Sequence, residues 1–543
     1  MTQWQPNVTL RPYSGRRDRT GGAGITDSDR LLDLYARRRQ AREPGSERAD
    51  QRRQLAGKLT ARQRIDILLD PGSFFEIDEF LLPAHAMPED APAYGDGVVA
   101  GVGTVHGRQI AVYAQDATVL GGSLGAAHGR KILKIMQTAE LIGCPMIGLN
   151  DSGGARIPEG VDALSAYADM GKAMTRLSGV VPQIIVVLGS CAGGAAYGAA
   201  LADFVVVVDG LSHMFVTGPE IIELAMGQRV SREELGGARV SCEVSGTAHY
   251  LAHDEADAFD WVRTLLAYLP SNNTEGPPQF AQKSSPQLTD RDRALDQLVP
   301  DSSSEGYQME ELIGAVLDGG DFLEVAERYG CALIIGFGCV DGRTVGVVAS
   351  RPDHAGGALD GDASDKGARF VRFCDAMEIP ILTLVDVPGF LPGLQQEHRG
   401  ILRRGAKLVF AYGEATVPLV TVIVRKAFGG AYGVLGSKQL GADINLAWPS
   451  AQIATMGPHA AAELLHKREL AAIDDPRERE QSSRELAEFY RAQLGTPYAA
   501  ASRGHVDRVI APHETRHAVT TALRILRTKR VDRPHKKHGT MPL

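Results

Sequence analysis

The chain has 543 residues, of which 44% are hydrophobic and 23% charged, and its formal net charge is −8. These values indicate a globular protein of two or three domains with a substantial core. The acidic balance argues against a general nucleic-acid-binding surface, and the absence of any run of about 18 apolar residues argues against a membrane span.

The N-terminus and the cysteines predict a cytoplasmic protein. No apolar segment typical of a secretory signal stands at the start of the sequence. The six cysteines are scattered and form no C-x-x-C pair, which fits a reducing compartment and predicts no structural zinc. They are Cys144, Cys191, Cys242, Cys331, Cys339 and Cys374.

Along the chain, composition predicts a tail, a helical segment and one linker. Residues 1–26 are rich in Arg and Gly and are predicted to be a flexible tail, and Asp29–Leu69 has helical composition. The Pro-, Ser- and Asn-rich stretch Pro270–Gln287 is the best linker. We therefore expect domains at residues 27–285 and 286–543.

The two predicted domains carry the same sequence pattern. Residues 107–219 return in order as residues 342–458. Asp151 recurs as Asp386, and Gly193-Gly194-Ala195 recurs as Gly429-Gly430-Ala431 after a slip of one residue. Solenoid repeats are about 20–50 residues long, so this much longer period indicates a duplicated domain.

Within each copy, short apolar runs alternate with helical ones. The first copy has runs such as PMIGLN, QIIVVLG and DFVVVVD, and the second has PILTLVD, PLVTVIV and DINLAW. Strands that alternate with helices predict βα units and a largely parallel sheet buried on both faces. The predicted fold class is a tandem α/β protein.

In each copy an apolar strand ends in a Gly-Gly pair that opens a helix, QIIVVLGSCAGGAAYG and PLVTVIVRKAFGGAYG. The first N–H groups of a helix have no intrahelical acceptor, and the helix dipole makes that end partly positive. Two such N–H groups can form an oxyanion hole. A single Gly-Gly turn more often serves tight packing alone, but its recurrence at equivalent positions favours a catalytic role.

Two other interpretations concern side chains near the turns. Gly189-Ser190-Cys191-Ala192-Gly193 resembles a nucleophile elbow, but Cys191 corresponds to Ala427 in the second copy, which favours a buried structural residue. Asp151-Ser152-Gly153-Gly154-Ala155-Arg156 follows a strand and either holds substrate or forms a turn with Arg156 in an ion pair. The basic segment 524–537 either contacts nucleotide phosphates or a partner protein, or is a solvated tail, and the last interpretation is favoured.

The motifs DSGGARI, DVPGFLPG, RRGAKLVFAYGEATVP, RKAFGGAYG, GSKQLGAD and HGTMPL resemble the carboxyltransferase β subunit of biotin-dependent acyl-CoA carboxylases, with the propionyl-CoA carboxylase type nearest. The resemblance implies two crotonase-like domains, a homo-hexamer with active sites between subunits, and an α subunit that carries biotin carboxylase and the biotin carrier. The resemblance also implies a role in fatty acid and polyketide precursor metabolism. Whether a small accessory subunit is required is not decided by the sequence.

The family's reaction moves CO₂ from carboxybiotin to the α-carbon of an acyl-CoA and gives a malonyl-CoA type product. By resemblance, Gly430 and Ala431 would hold the thioester oxygen, and Gly193 and Gly194 the biotin oxygen. Strict repeat equivalence pairs Gly194 with Gly430 and Ala195 with Ala431 instead. The donor pair in the first copy is therefore either Gly193 and Gly194 or Gly194 and Ala195.

The predicted substrate-binding residues are Gly153, Gly154, Ala155, Arg156, Tyr432 and Gly433. Propionyl-type enzymes usually carry Asp where this chain has Gly433, so we hypothesise that longer acyl chains are accepted. The alternatives are a sodium-pump decarboxylase subunit, a crotonase-type hydratase or isomerase, and a non-catalytic scaffold. No metal is expected in this subunit, and the preferred acyl chain is left undetermined.

Overall fold

The structure, a computed structural model, describes residues 27–83, 94–281, 287–300, 302 and 305–542. The predicted tail at residues 1–26 and the predicted domain boundary at 285/286 lie outside the described residues. Residues 27–43 belong to a compact unit separate from residues 44–542. That unit contains the helix α1, Asp27–Arg42, with acidic residues in its first turn and basic residues in its last.

Each copy of the repeat builds one eight-stranded sheet in the described residues. The strands of the first sheet are β1 Phe75–Glu76, β2 Val98–Val105, β3 Arg108–Gln115, β4 Met146–Ser152, β5 Gln183–Ala192, β6 Phe204–Val208, β7 His213–Phe215 and β8 Tyr250–Ala252. The strands of the second sheet are β9 Phe322–Val325, β10 Leu333–Val340, β11 Arg343–Ser350, β12 Ile381–Val387, β13 Leu419–Phe428, β14 Ile444–Ala447, β15 Gln452–Ala454 and β16 Arg508–Val509.

Helices connect the parallel strands and cover the sheets. In the first half they are α2 Glu47–Leu55, α3 Ala61–Leu68, α4 Ala126–Ile142, α5 Val161–Leu177, α6 Gly194–Leu201, α7 Pro219–Met226, α8 Arg232–Gly236 and α9 Glu255–Tyr268. Then follow α10 Asp290–Ala294, α11 Met309–Val316, α12 Gly361–Ala376, α13 Leu394–His398, α14 Ile401–Glu414, α15 Gly429–Val434, α16 Pro458–Leu465, α17 Lys467–Ala471, α18 Pro476–Leu494, α19 Pro497–Ala501 and α20 Thr515–Ile525.

The two sheets have the same topology, as the repeat predicts. In the first, β2 and β3 form an antiparallel hairpin, and β3, β4, β5 and β6 then run parallel. In the second, β10 and β11 form the hairpin, and β11 to β14 run parallel. The predicted tandem α/β fold is confirmed, and the antiparallel hairpin is an addition that the strand pattern did not predict.

The short strands β7 and β15 also occupy equivalent places. Each pairs in parallel with the last residues of the strand that precedes a glycine turn, so that Ala192 faces Phe215 and Phe428 faces Ala454. This pairing fixes the end of the strand just where the backbone must turn into a helix. The amide groups at the turn are therefore held by the sheet rather than by a free loop.

The core is shared by both copies. One continuous cluster of buried apolar side chains includes residues from strands of both sheets. Phe204 of the first copy packs against Phe373 of α12 in an edge-to-face contact with ring centroids 4.8 Å apart. Such aromatic pairs add to the stability that burial gives. None of the helices in the described residues combines the length and hydrophobicity that a bilayer crossing requires.

Candidate active site

The first glycine turn joins β5 to α6 through Gly193. Gly193 has a φ of +59°, a left-handed conformation that favours glycine, and its N–H donates to the Phe215 carbonyl at 3.1 Å. Gly194 and Ala195 then occupy the first two positions of α6, where backbone N–H groups have no intrahelical acceptor. The amide of Gly193 is therefore engaged, and the pair that points out of the helix start is Gly194 and Ala195.

Gly194 is also required by close packing. A Cβ at this position would lie 2.5 Å from Cγ of Tyr167, so the aromatic ring of α5 rests directly on the backbone at the helix start. Real Cβ atoms do not come that close, and no larger residue fits without moving the ring. The ring of Tyr167 thus forms one wall beside the amide pair.

The second glycine turn repeats this arrangement. Gly429 has a φ of +60° and begins α15 directly after Phe428, the last residue of β13. Gly430 and Ala431 follow within the first turn of that helix. The helix dipole and the unsatisfied first-turn N–H groups make this a second place for a negatively charged oxygen.

The loop after the preceding strand lies against each turn. In the first copy Gly153 donates its N–H to the Gly121 carbonyl at 3.1 Å, and Gly154 donates to the Ser152 hydroxyl at 3.2 Å. The N–H of Ala155 makes no hydrogen bond to any described residue. A Cβ on Gly154 would lie 3.2 Å from the Ala192 carbonyl oxygen, so the loop touches the end of β5.

Phe390 is the counterpart of Ala155 in the second copy. Both residues form isolated bridges, Ala155 with Leu124 and Phe390 with Leu359. The N–H of Phe390 likewise has no partner within the part of the chain that the structure describes. Sequence reasoning missed Phe390, because a bulky aromatic residue gives no sign that its backbone amide is unpaired. The equivalent offset from Ala155 could have identified it.

Arg156 is directed into the protein rather than toward a cleft. Its side chain is 3% exposed and pairs with Asp96 at 2.7 Å and Glu159 at 2.9 Å. It also donates to the Ser123 carbonyl at 2.8 Å. This geometry favours the ion-pair interpretation, in which Arg156 fixes the loop that carries Ala155. Direct substrate binding by Arg156 stays a prediction.

A buried aspartate stands before each turn. Asp151 at the end of β4 pairs with Lys58 at 3.1 Å and with Arg64 at 3.3 Å, and Arg64 also donates to the Leu188 carbonyl of β5 at 3.0 Å. In the second copy Asp386 pairs with Arg425 at 3.0 Å. These ion pairs fasten neighbouring strands together just ahead of the glycine turns.

Two concave surfaces adjoin the turns. A cavity of about 200 Å³ next to the first turn is lined by residues that include Tyr167, Gly194 and Ala195. A wider cleft of about 640 Å³ next to the second turn is lined by residues that include Gly430, Tyr432 and Gly433. None of the residues lining either surface is acidic, basic or a histidine. A Cβ at Gly433 would meet no described atom within 4 Å.

Cys191 does not have the surroundings of a nucleophile. It is fully buried, and burial raises the pKa of its thiol to about 12. A reactive cysteine needs a lowered pKa and access to solvent. The interpretation as a structural residue therefore agrees with the geometry. In the described ranges, no group of three or more His, Cys, Asp and Glu is placed to hold a metal ion, and the expected lack of a metal stays a prediction.

Comparison with known proteins connects this geometry with one family. Residues 52–541 match the carboxyl transferase domain family. The propionyl-CoA carboxylase beta chain of Saccharopolyspora erythraea is 54% identical over 528 residues, 95% of this chain and 96% of that protein. The long chain acyl-coenzyme A carboxylase beta4 subunit of Mycobacterium tuberculosis is 46% identical over 522 residues, 95% of this chain and 98% of that protein.

A solved structure agrees with the sequence matches. The crystal structure of transcarboxylase 12S, a hexamer with hydrolysed methylmalonyl-coenzyme A bound, superposes with a TM-score of 0.91 at 44% identity and covers 96% of this chain and 100% of that chain. The two sheets described above are thus two tandem crotonase-like domains. By sequence, by fold and by the extent of the match, the chain belongs to the carboxyl transferase domain family.

Proposed function

We propose that this chain is the carboxyltransferase subunit of a biotin-dependent acyl-CoA carboxylase. It transfers a carboxyl group from carboxybiotin to the α-carbon of an acyl-CoA and yields a malonyl-CoA or substituted malonyl-CoA. Family membership over residues 52–541 supports the reaction class. The similarity to a propionyl-CoA carboxylase beta chain and to a solved structure with hydrolysed methylmalonyl-coenzyme A bound supports a short acyl thioester as the substrate.

The observation that carries this proposal is the duplication of first-turn amides, each accompanied in its copy by a loop amide that has no hydrogen-bond partner among the described residues. Gly194 and Ala195 stand with Ala155 in the first copy, and Gly430 and Ala431 stand with Phe390 in the second. Carboxyl transfer to an enolate develops negative charge on two oxygens, one on the thioester and one on the ureido group of biotin. Two fixed sets of N–H donors can stabilise the negative charge on these two oxygens, one set for each.

Biotin, carried on a partner subunit, supplies the activated carboxyl group. This chain's contribution is electrostatic, since N–H groups fixed by the sheet and by the helix start need no reorganisation as charge develops. Each such donor contributes about 2.7–4 kcal/mol to the transition state in comparable sites. We assign no side-chain base to this chain, because no acidic, basic or histidine side chain lines either surface and burial raises the pKa of the lining residues Tyr167 and Tyr432 to about 12.

The donor pair in the first copy is proposed to be Gly194 and Ala195. Gly193 stays a predicted donor from the resemblance, but its N–H already bonds to Phe215. Gly153 donates its N–H to the Gly121 carbonyl and Gly154 donates to the Ser152 hydroxyl, so we propose that these two glycines shape the site and that, of this loop, Ala155 alone donates to a reactant. Tyr432 and Gly433 are proposed to border the acyl group.

The proposed function also implies how the subunits assemble. We propose a homo-hexamer, an α subunit with biotin carboxylase and biotin carrier domains, and active sites between subunits, with a cytoplasmic location. The hexameric transcarboxylase structure supports the oligomer. A small accessory subunit stays an open prediction.

The test supplies the purified chain with a biotinylated α subunit, ATP and labelled bicarbonate, and follows acid-stable label over acyl-CoAs from acetyl to long chain. Label in a malonyl-type product is the expected result. Gly430→Val, with the oligomer confirmed by light scattering, should abolish the label. No label with any acyl-CoA, despite an α subunit that carboxylates its own biotin, would overturn the proposal.

A further inference from the structure

The loop of residues 151–156, which contains the loop amide of the first copy, is held at both ends by buried side chains. At its start, the Asp151 N–H donates to Oε1 of Gln115 at 3.3 Å. At its end, Arg156 donates from Nη1 to the Asp96 carboxylate at 2.7 Å. All four residues are buried, so water does not compete for these bonds. The position of the loop is therefore set by Gln115 and Asp96, which lie outside it.

His128 of α4 connects these two anchors. Its Nδ1 lies 2.9 Å from the Asp96 carbonyl oxygen, which can only accept, so Nδ1 carries the proton. Its Nε2 then accepts from the Gln115 side-chain amide at 3.3 Å, and its backbone N–H donates to the Asp96 carboxylate at 2.8 Å. The imidazole is fully buried, and burial lowers its pKa to about 3, so the ring is neutral at pH 7. Both ring nitrogens thus have partners, and the network is continuous from Asp151 to Arg156.

Asp96 has a backbone conformation that is uncommon for a residue with a side chain. Its φ is +49°, and it lies between Gly95 and Gly97, whose φ values are +79° and +75°. A left-handed conformation at a non-glycine residue persists where the surroundings impose it, and such residues cluster at functional sites. Here it lets the carboxylate and the carbonyl of one residue both bond to α4. Lys131 of α4 holds the same segment, since its Nζ donates to the Val98 carbonyl at 2.8 Å.

The second copy has only part of this network. By the offset that relates Asp151 to Asp386, the counterparts of the four network side chains are, in chain order, Cys331, Ser350, Ala363 and Leu391. Ser350 accepts the Asp386 N–H at 3.2 Å and so takes the place of Gln115. Leu391 cannot form an ion pair at the end of the second loop. The complete network is therefore a property of the first copy and not of the shared fold.

The network bears directly on the orientation of the Ala155 amide. Leu124 donates to the Gly154 carbonyl at 2.9 Å and accepts from the Arg156 N–H at 2.9 Å, so backbone bonds lie on both sides of Ala155. Because Asp96 fixes the side chain of Arg156, it also fixes the second of these bonds. The peptide plane of Ala155 is then held in one orientation.

We propose that Asp96 and His128 are positioning residues for carboxyl transfer, which hold the Ala155 N–H in the orientation that binds the reacting oxygen at the first glycine turn. This inference rests on the proposed function. Neither Asp96 nor His128 lines the adjoining cavity, so both act through the loop and not on a reactant.

The test compares kcat and KM for carboxylation of propionyl-CoA, with a biotinylated α subunit, in the wild type and in Asp96→Asn. Asparagine tolerates the left-handed conformation, but its amide nitrogen cannot accept a hydrogen bond from Arg156 or His128. Since misplacement of a group by about 1 Å can cost on the order of 10²-fold, kcat should fall about 10–100-fold. KM for propionyl-CoA should stay within about threefold, because the donor acts mainly in the transition state.

The matched control is Asp292→Asn. Asp292 is also buried and pairs with Arg516 at 2.7 Å, but neither residue lines a concave surface beside a glycine turn. Breaking either buried pair should lower stability in urea. Only Asp96→Asn should lower kcat, and Asp292→Asn should leave it within about threefold of the wild-type value.

A double substitution shows whether Asp96 acts through Ala155. L-lactic acid in place of Ala155 removes its N–H and should lower kcat about 10²–10³-fold. Adding Asp96→Asn to this ester should lower kcat by less than about threefold more, because groups that act as one unit are not additive. Multiplied losses, an equal kcat loss in Asp292→Asn, or wild-type kcat in a folded Asp96→Asn protein would overturn the inference.

Hydrogen exchange of backbone amides, followed by mass spectrometry, separates this inference from the proposed function. Asp96→Asn should accelerate exchange in residues 152–156 and not in residues 387–391. If the wild type carboxylates no acyl-CoA but this difference is found, the network assignment stands and the proposed function fails. Unchanged exchange in residues 152–156 overturns the inference. Should Asp96→Asn not fold, unchanged kcat and exchange in His128→Ala, for which the second copy has Ala363, overturn it.

Discussion

Arg425 donates from Nε to the Asp386 carboxylate at 3.0 Å, immediately before the second glycine turn, and both side chains are almost completely buried. The other carboxylate oxygen accepts the backbone N–H of Lys426 at 2.9 Å. Asp386 therefore fixes the end of β13 in place. The amides that we propose as donors in the second copy therefore follow a strand end fixed by an ion pair that does not line the adjoining cleft.

Asp386→Asn should strongly destabilise the protein. It leaves the Arg425 guanidinium buried without its counter-ion, and breaking a buried pair in this way costs about 3–5 kcal/mol. The free energy of unfolding in urea measures the loss. Glu223→Gln, which breaks the exposed pair between Glu223 and Arg229, should cost less than about 1 kcal/mol. Equal effects of the two substitutions would contradict this role for Asp386.

Cys191 provides a second prediction. Because its thiol is fully buried and burial raises its pKa to about 12, no thiolate forms at neutral pH. Cys191→Ala should retain carboxylation activity, and the second copy already has Ala427 at the matching place. Steady-state rates with propionyl-CoA check this. A loss of activity on the order of 10³-fold in a folded variant would revive the nucleophile-elbow interpretation.

Stability should fall as the pH is lowered below about 6.5. Burial lowers the pKa of His128 and of His249 from 6.5 to about 3. Between these two pH values the imidazoles are protonated in the unfolded chain and neutral in the folded one. The stability that these imidazoles contribute is present above pH 6.5 and is lost as the pH falls toward 3. Asp203, whose pKa burial raises to about 6, binds a proton in the folded state and offsets part of the loss.

His249→Asn isolates one of these groups. The His249 Nδ1 accepts the Val205 N–H at 3.0 Å, and an amide oxygen can replace that acceptor. Between about pH 6 and 4 the slope of unfolding free energy against pH should decrease by about 1.4 kcal/mol per pH unit, the value for one proton. Urea titrations at several pH values measure the slope. The same slope in wild type and variant would show that His249 titrates normally when folded.

Gly433→Asp tests the hypothesis made from the sequence. Gly433 lines the cleft at the second turn, and a side chain there meets open space. A carboxylate at this position should disfavour the longer, apolar acyl chains and lower their kcat/KM relative to propionyl-CoA. The carboxylation assay over acyl-CoAs from acetyl to long chain supplies the measurement. The control is Gly413→Ala, a substitution inside α14 that lines neither concave surface. If Gly433→Asp accepts the same range of acyl-CoAs as the wild type, the hypothesis is wrong.

The fold could be predicted well because the duplication is visible in the sequence itself. Glycines, prolines and apolar runs recur at fixed offsets, and the predicted strand QIIVVLG and helix VDALSAYADMGKAMTRL are found as β5 and α5. The β2–β3 hairpin and the short strands β7 and β15 were missed. These strands are fixed by pairing with distant partners, which local composition does not record.

The site was predictable only in part. Gly-Gly pairs indicate where a helix begins, but whether an N–H is engaged depends on a distant carbonyl. Gly193 looks equivalent to its neighbour in the sequence, yet only the contact with Phe215 shows that its amide is used. The proposed contribution of Phe390 comes from its backbone amide, which the identity of its side chain does not reveal. In the basic C-terminal segment, residues 530–537 are exposed as expected of a solvated tail, whereas Lys529 pairs with Asp443 at 2.7 Å, a contact that the sequence does not reveal.

Replacement of single backbone amides by esters tests the claim that main-chain N–H groups carry the reaction. Incorporating L-lactic acid in place of Ala195 removes one N–H and preserves shape, and kcat for carboxylation should fall about 10²–10³-fold. The matched control is glycolic acid in place of Gly193, whose N–H bonds to the Phe215 carbonyl rather than to a reactant. This ester should leave kcat within about threefold of the wild-type value, because a neutral structural hydrogen bond contributes little to the chemical step. Unchanged kcat in the Ala195 ester, or a larger loss in the Gly193 ester, would contradict the proposed pair of donors.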